Sequence, residues 1–248
     1  MGSLATWLLF LACAFVAEVI GTMAGFGAAT ILTPIAVLFM DVKLAIAVVA
    51  CFHFFGNASR LIFFGRHLDW TIWARFGLIG ILFSFAGAHL TTQLPSPAVQ
   101  LLFGLFLLLY VGFSSLGAGR MVLPRSSATL VLGGVFSGFV AGLLGTGGAI
   151  RSACLLVFGL PKEAYIGTSA AIALVVDATR IPVYIAQHVV PSRMVPVVVS
   201  LMVAAFAGAW LGRRLVSRIS SAGFRRVVLG MLALMGLKLI ADGVRGLS

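Results

Sequence analysis

The chain reads as an all-α polytopic membrane protein made of two inverted copies of one unit, on three observations. Hydrophobic residues fill 61% of its 248 positions and charged residues 9%, too little polar surface to cover a water-soluble domain. Its apolar runs reach bilayer length, with a mean hydropathy of +1.17. Residues 17–68 lie over residues 137–188 without a gap, pairing Gly25-Phe26-Gly27 with Gly145-Thr146-Gly147 and the step from Asn57 to Arg60 with the step from Asp177 to Arg180. Identity alone means little between apolar segments, so the shared register of glycine pairs and charges is what marks the duplication. Phe85-Ala86-Gly87-Ala88 recurs as Phe206-Ala207-Gly208-Ala209 with one extra residue. The repeats are residues 1–120 and 121–248, joined in a single integrated membrane domain.

Residues 5–39 form one apolar stretch, longer than the roughly 20 residues a helix needs to cross a bilayer, and the cluster at 25–27 interrupts it. Glycine costs a helix interior about 1 kcal/mol and takes positive φ readily, so the cluster predicts a break between two shorter helical pieces. Irregular backbone at that depth must be buried in protein or face water. Spans follow at 44–65, 71–92 and 98–118. The second repeat opens with the apolar stretch 128–160, cut at 145–148, and continues with spans at 163–187, 193–215 and 223–244. Pro182, inside the first of these, removes a backbone donor, frees the Ala178 carbonyl and loosens the helix there.

Loop charges decide whether the interrupted stretches cross the membrane or turn back. If both turn back, Arg66, Arg75, Arg120, Arg125, Lys162, Arg213, Arg214, Arg218, Arg225 and Arg226 share one side, and only Lys43, Arg193, Lys238 and Arg245 lie opposite. If both cross, the positive charges split nearly evenly and the positive-inside signal vanishes. Two hairpins and three crossings per half are therefore expected, which inverts one half relative to the other. Both termini then lie outside the cytoplasm. The net charge of +11 is this topology signal, spread through short loops, and no nucleic-acid partner is expected. Cys13, Cys51 and Cys154 are scattered without metal-type spacing, so neither a disulfide framework nor a metal is implied, and no cofactor is expected. The first apolar run has no basic region or small-residue cleavage site before it and is expected to remain a membrane segment.

Ionisable residues at membrane depth cost several kcal/mol unless paired or hydrated, so each is a functional candidate. They are Glu18, His53, Arg60, Arg151, Asp177 and Arg180. Ser169, Ala173, Asp177 and Arg180 follow helical spacing and line one face of their span, and His53, Asn57 and Arg60 line the matching face of 44–65. Two such stripes from inverted halves can enclose a polar pocket. Plainer readings stay open at this point. Asp177 and Arg180, three residues apart, can simply neutralise each other. Arg60 can snorkel to the interface, Glu18 can be a satisfied structural acid, His53 can be a packing residue, and the glycines can serve close helix contact.

Charge arithmetic favours a site. Arg60, Arg151 and Arg180 outnumber Glu18 and Asp177 by one, which an anion would balance. Short helices beginning at Ala28 and at Gly148-Ala149 offer free N–H groups and a positive dipole end. Arginine adds a planar donor fork for oxyanions, and Thr146, Thr168 and Ser169 add hydroxyls. The candidate substrate residues are thus Gly25, Gly27, Ala28, Asn57, Arg60, Gly145, Thr146, Gly147, Gly148, Arg151, Thr168, Ser169, Asp177 and Arg180, with Glu18 and His53 as candidates for proton coupling. The expected partners are a small anionic substrate and the lipid bilayer. A Gly-interrupted helix at the same place in each half points to a secondary transporter. An anion channel shares these features. An intramembrane serine hydrolase built on Ser169 is disfavoured, because Ser169 and His188 stand nineteen residues apart on one span and His53 belongs to the other half.

The paired breaks, Gly25-Phe26-Gly27 and Gly145-Thr146-Gly147-Gly148, together with Leu160-Pro161-Lys162-Glu163-Ala164-Tyr165-Ile166-Gly167-Thr168-Ser169, resemble the TauE/SafE family of sulfite and organosulfonate exporters. The resemblance covers nearly the whole chain. It implies movement of small sulfur-containing anions such as sulfite, thiosulfate or sulfoacetate across a bacterial inner membrane. The family often has a proline shortly after the second break, where this chain has Arg151-Ser152-Ala153-Cys154. An extra cation there favours a more highly charged or bifunctional anion.

Overall fold

The computed structural model describes residues 4–24, 27–115, 123–215 and 221–247. Gly25, Arg120 and Arg218, and the side chains of Arg225 and Arg226, lie outside the described residues. Among those described there are helices and no strands: α1 (Leu4–Ala24), α2 (Ala29–Ala36), α3 (Val42–Phe64), α4 (Trp70–Gln93), α5 (Ser96–Ser115), α6 (Ser127–Leu144), α7 (Gly148–Leu156), α8 (Lys162–Ala186), α9 (Val195–Leu215) and α10 (Ser221–Leu247). Short 3₁₀ turns at Gly65–His67 and Ser192–Met194 precede α4 and α9. Seven of the described helices, α1, α3, α4, α5, α6, α8 and α9, are long and apolar enough to cross a membrane. Exposed Leu82, Leu109, Leu132, Val203 and Leu234 give the molecule an apolar outer surface suited to lipid. It is an integral membrane protein.

Local chemistry sets the helix ends. The side chains of Asp41, Asp69 and Ser126 accept the N–H groups of Lys43, Ile72 and Thr129 at the starts of α3, α4 and α6. Gly145 closes α6 in the left-handed region, at φ +77, with its N–H on the Ala141 carbonyl.

Both interrupted stretches turn back. α2 runs down α1: Gly21 packs on the Ala28 backbone so closely that a Cβ would collide, and the rings of Phe10 and Phe39 sit 5.2 Å apart. α7 runs down α6 in the same way, with Gly147 against Ser137 and Gly133 against Cys154. The arms are unequal. Each stretch is broken into the two shorter helices expected, but α1 and α6 are themselves long enough to span, while the returning α2 and α7 are short. The break lies late in each stretch, so hydropathy cannot separate the arms.

The remaining contacts fix helix directions. α1 lies parallel to α9, with Gly208 on Glu18 and Gly212 on Thr22. α4 lies parallel to α6, with Gly134 on Phe76, Gly138 on Gly80 and Gly142 on Ser84. α3 and α8 are antiparallel, His53 meeting Asp177 and Phe64 meeting Gly167. α5 and α10 are also antiparallel, through Gly104 with Gly236 and Pro97 with Gly243. Following these directions along the chain puts the start of α1 and the end of α10 at one face. Arg66, Arg75, Arg125, Lys162, Arg213 and Arg214 belong to the opposite one.

Candidate functional site

α3 and α8 cross at the centre of the molecule, and their polar stripes meet. Nδ1 of His53 is 2.9 Å from Oδ2 of Asp177, and the Asn57 amide donates to the same oxygen at 3.2 Å. Arg180 grips the other oxygen, Oδ1, through Nε at 2.9 Å and Nη2 at 2.7 Å. On the far side of Asn57, Arg60 donates to its Oδ1 at 2.9 Å and to Oε1 of Glu18 from Nε at 3.0 Å and Nη2 at 2.6 Å. Thr22, one turn beyond Glu18, donates to the same Oε1 at 3.1 Å. One polar chain thus runs from α1 through α3 to α8. None of Glu18, His53, Asn57, Arg60, Asp177 and Arg180 is more than 4% exposed. Arg60 therefore does not snorkel to the interface. Charges held so deep persist because each finds an opposite charge and additional donors.

The glycine breaks sit against this chain and against each other. Thr146 donates to the Thr30 hydroxyl at 3.0 Å, and Thr33 donates to the Gly145 carbonyl at 3.5 Å. Gly27 has φ +94, and a Cβ added there would stand 2.5 Å from Nε2 of His53 and 3.5 Å from Nη2 of Arg151. Only glycine suits both the backbone and the space. Arg151, on the first turn of α7 and buried, donates from Nε to Oγ of Ser169 at 2.9 Å. Ala28 and Gly147 precede α2 and α7, and Gly148 opens α7, so both short helices begin beside the cluster.

Ending α6 at Gly145 frees its last carbonyls at membrane depth, where each needs a donor. Tyr184 gives its hydroxyl to Gly142 and Thr91 gives its hydroxyl to Leu143 at 2.7 Å, while Arg180 adds Nη1 at 2.7 Å to the Ala141 carbonyl, which also accepts the Gly145 N–H. Ser137 donates to the Gly147 carbonyl at 2.8 Å. Arg180 therefore has a structural duty besides its ion pair.

Of the residues singled out in the sequence, Gly27, Ala28, Asn57, Arg60, Gly145, Thr146, Gly147, Gly148, Arg151, Ser169, Asp177, Arg180, Glu18 and His53 all lie in or against this cluster. Thr168 lies against the turn before α4 instead, where its hydroxyl accepts the Asp69 N–H at 2.9 Å. Thr22, Thr30, Thr33, Thr91, Ser137 and Tyr184 were missed. Thr22 was findable, one turn from Glu18; the others bond to groups that only the folded hairpins bring near. Oε2 of Glu18 and Nε2 of His53 are buried and have no hydrogen-bond partner among the described residues.

With His53 neutral, the buried charges sum to one positive, from three arginines and two carboxylates, beside the starts of two short helices. Such an arrangement suits a small oxyanion. A family model described as Sulfite exporter TauE/SafE matches residues 10–239. Neither the curated proteins nor the solved structures give a match.

Proposed function

The chain belongs to the sulfite exporter TauE/SafE family, a family of transporters, and from that premise we propose that it is a secondary transporter carrying small sulfur-containing anions outward across a bacterial inner membrane. The observation that carries this reading is the meeting of the two glycine breaks, through Thr30 and Thr146, beside a buried cluster with one surplus positive charge. The anion rests against Gly27 and the first turns of α2 and α7, within reach of Arg151. Sulfite, thiosulfate and organosulfonates such as sulfoacetate each present a tripod of oxygens of the kind that helix N–H groups and a guanidinium can hold.

The two halves act as inverted repeats. The contact of α1 with α9 has its counterpart in that of α6 with α4, and the antiparallel pairs α3 with α8 and α5 with α10 straddle the relating axis. Alternating access is then a rocking of one half against the other around the breaks. The arginine-rich face is cytoplasmic and both termini are periplasmic, by the positive-inside rule. A negative interior drives anions outward by about 2.3 kcal/mol per charge at 100 mV.

Uptake of radiolabelled sulfite, thiosulfate and sulfoacetate into inside-out vesicles tests the reading. Saturable flux of at least one is expected. Absence of saturable flux for all three would overturn it, and single-channel currents in a planar bilayer would replace the transporter with a channel.

A further inference from the structure

Buried polar atoms normally find partners, so Nε2 of His53 needs an explanation. The ring is held by its other nitrogen. Asp177 already holds the Arg180 guanidinium on Oδ1, by a hydrogen bond from Nε and an ion-pair contact with Nη2, which makes it the ionised acceptor and puts the ring proton on Nδ1, 2.9 Å from Oδ2. Asn57, 3.1 Å from Nδ1 and 3.2 Å from Oδ2, spends its amide on the carboxylate. In the neutral ring Nε2 is then a bare lone pair, and it points at Gly27, beside Nη2 of Arg151.

An oxyanion lying against Gly27 presents a lone pair of its own to that nitrogen. Two acceptors face to face repel unless a proton lies between them. We propose that the transported anion binds together with one proton, which His53 takes on Nε2 and donates as a hydrogen bond to an anion oxygen. The deepening rests on the transporter reading above.

The charged groups around the ring agree with it. Asp177 on α8 faces the ring directly and stabilises the imidazolium, while Arg180 remains on the opposite oxygen of Asp177. Arg60, on the same helix as His53, is balanced by Glu18 from α1. Arg151 from α7 adds a positive charge on the Gly27 side. Once His53 is protonated the cluster carries two surplus positive charges, so a dianion is the substrate class it suits, and each carrier cycle moves one proton with one dianion. The proton comes from water on the side where the anion enters and leaves to water with it. The position that matches His53 in the second repeat is Ala173, so the site holds one such proton and not two.

The test is calorimetric titration of the full-length purified chain with thiosulfate, a dianion of a strong acid that does not itself titrate near neutral pH. Binding is measured in two buffers of different ionisation enthalpy, at pH values from about 6 to 8. The expected result is close to one proton taken up per thiosulfate bound at the upper end, with affinity falling up to tenfold per pH unit as pH rises. His53→Gln, whose amide can still donate to an anion, should bind with no proton uptake and no pH dependence. Thiosulfate binding by the wild-type chain without proton uptake would overturn the proposal and leave the transporter reading standing, whatever the variant does. No binding of thiosulfate, sulfite or sulfoacetate at any of these pH values would overturn both.

Discussion

Arg180 gives a hydrogen bond and a second ion-pair contact to Asp177 and another hydrogen bond to the Ala141 carbonyl, all at membrane depth. Replacing it by glutamine leaves a buried carboxylate short of its counter-charge, and breaking such a pair costs about 3–5 kcal/mol. Arg180→Gln is therefore expected to lower the thermal unfolding midpoint in detergent sharply, and Asp177→Asn in the same chain to restore much of the loss. A loss confined to anion binding, with stability unchanged, would make Arg180 a ligand instead. Gly27→Ala is expected to act differently. The residue sits at φ +94 with His53 Nε2 where the methyl would go, a strain of roughly 1–2 kcal/mol. Vesicle flux should disappear while much of the folded protein survives. The pairs Asn57 with Arg60 and Asp177 with Arg180 were legible in the sequence because helical spacing repeats in both halves. Thr30, Thr33 and Tyr184 were not, because a hydroxyl in an apolar run carries no signal until folding delivers its partner.

Among the helices, the closest seam is that of α6 on α4. Gly134, Gly138 and Gly142 recur every fourth residue, and each would drive a Cβ into the backbone of α4 at Phe76, Gly80 or Ser84. Small residues at this spacing let two backbones approach, which is how helices associate where lipid removes the hydrophobic drive. Gly138→Leu should push the pair apart at a cost of about 1–3 kcal/mol, visible as a lower unfolding midpoint. Gly112, which faces open space on α5, should accept alanine with little change. Element positions were readable from hydropathy and punctuation: the spans expected at 44–65, 71–92 and 163–187 match α3, α4 and α8 to within two residues. The lengths of the hairpin arms were readable from the glycines alone and not from hydropathy. Both arms are apolar throughout, and only the late position of the glycines makes one long and the other short.

Seen whole, α1 starts and α10 ends at the face opposite the one rich in arginine among the described residues. Reporters fused to the two termini should both behave as periplasmic, with active alkaline phosphatase and dark green fluorescent protein at each end. A fluorescent fusion at either terminus would reverse the topology. This level was legible from the loops, because the bias of Lys and Arg between them only makes sense if both interrupted stretches return. What no single segment could show is that the two returns touch. The hydroxyl bond from Thr146 to Thr30 is neutral, and such bonds contribute a net of about 0.5–1.5 kcal/mol. One ion crossing the whole bilayer under 100 mV releases about 2.3 kcal/mol per charge, more than parting that one bond costs, so the passage of the cargo and not the neutral contact itself is where the membrane voltage can act.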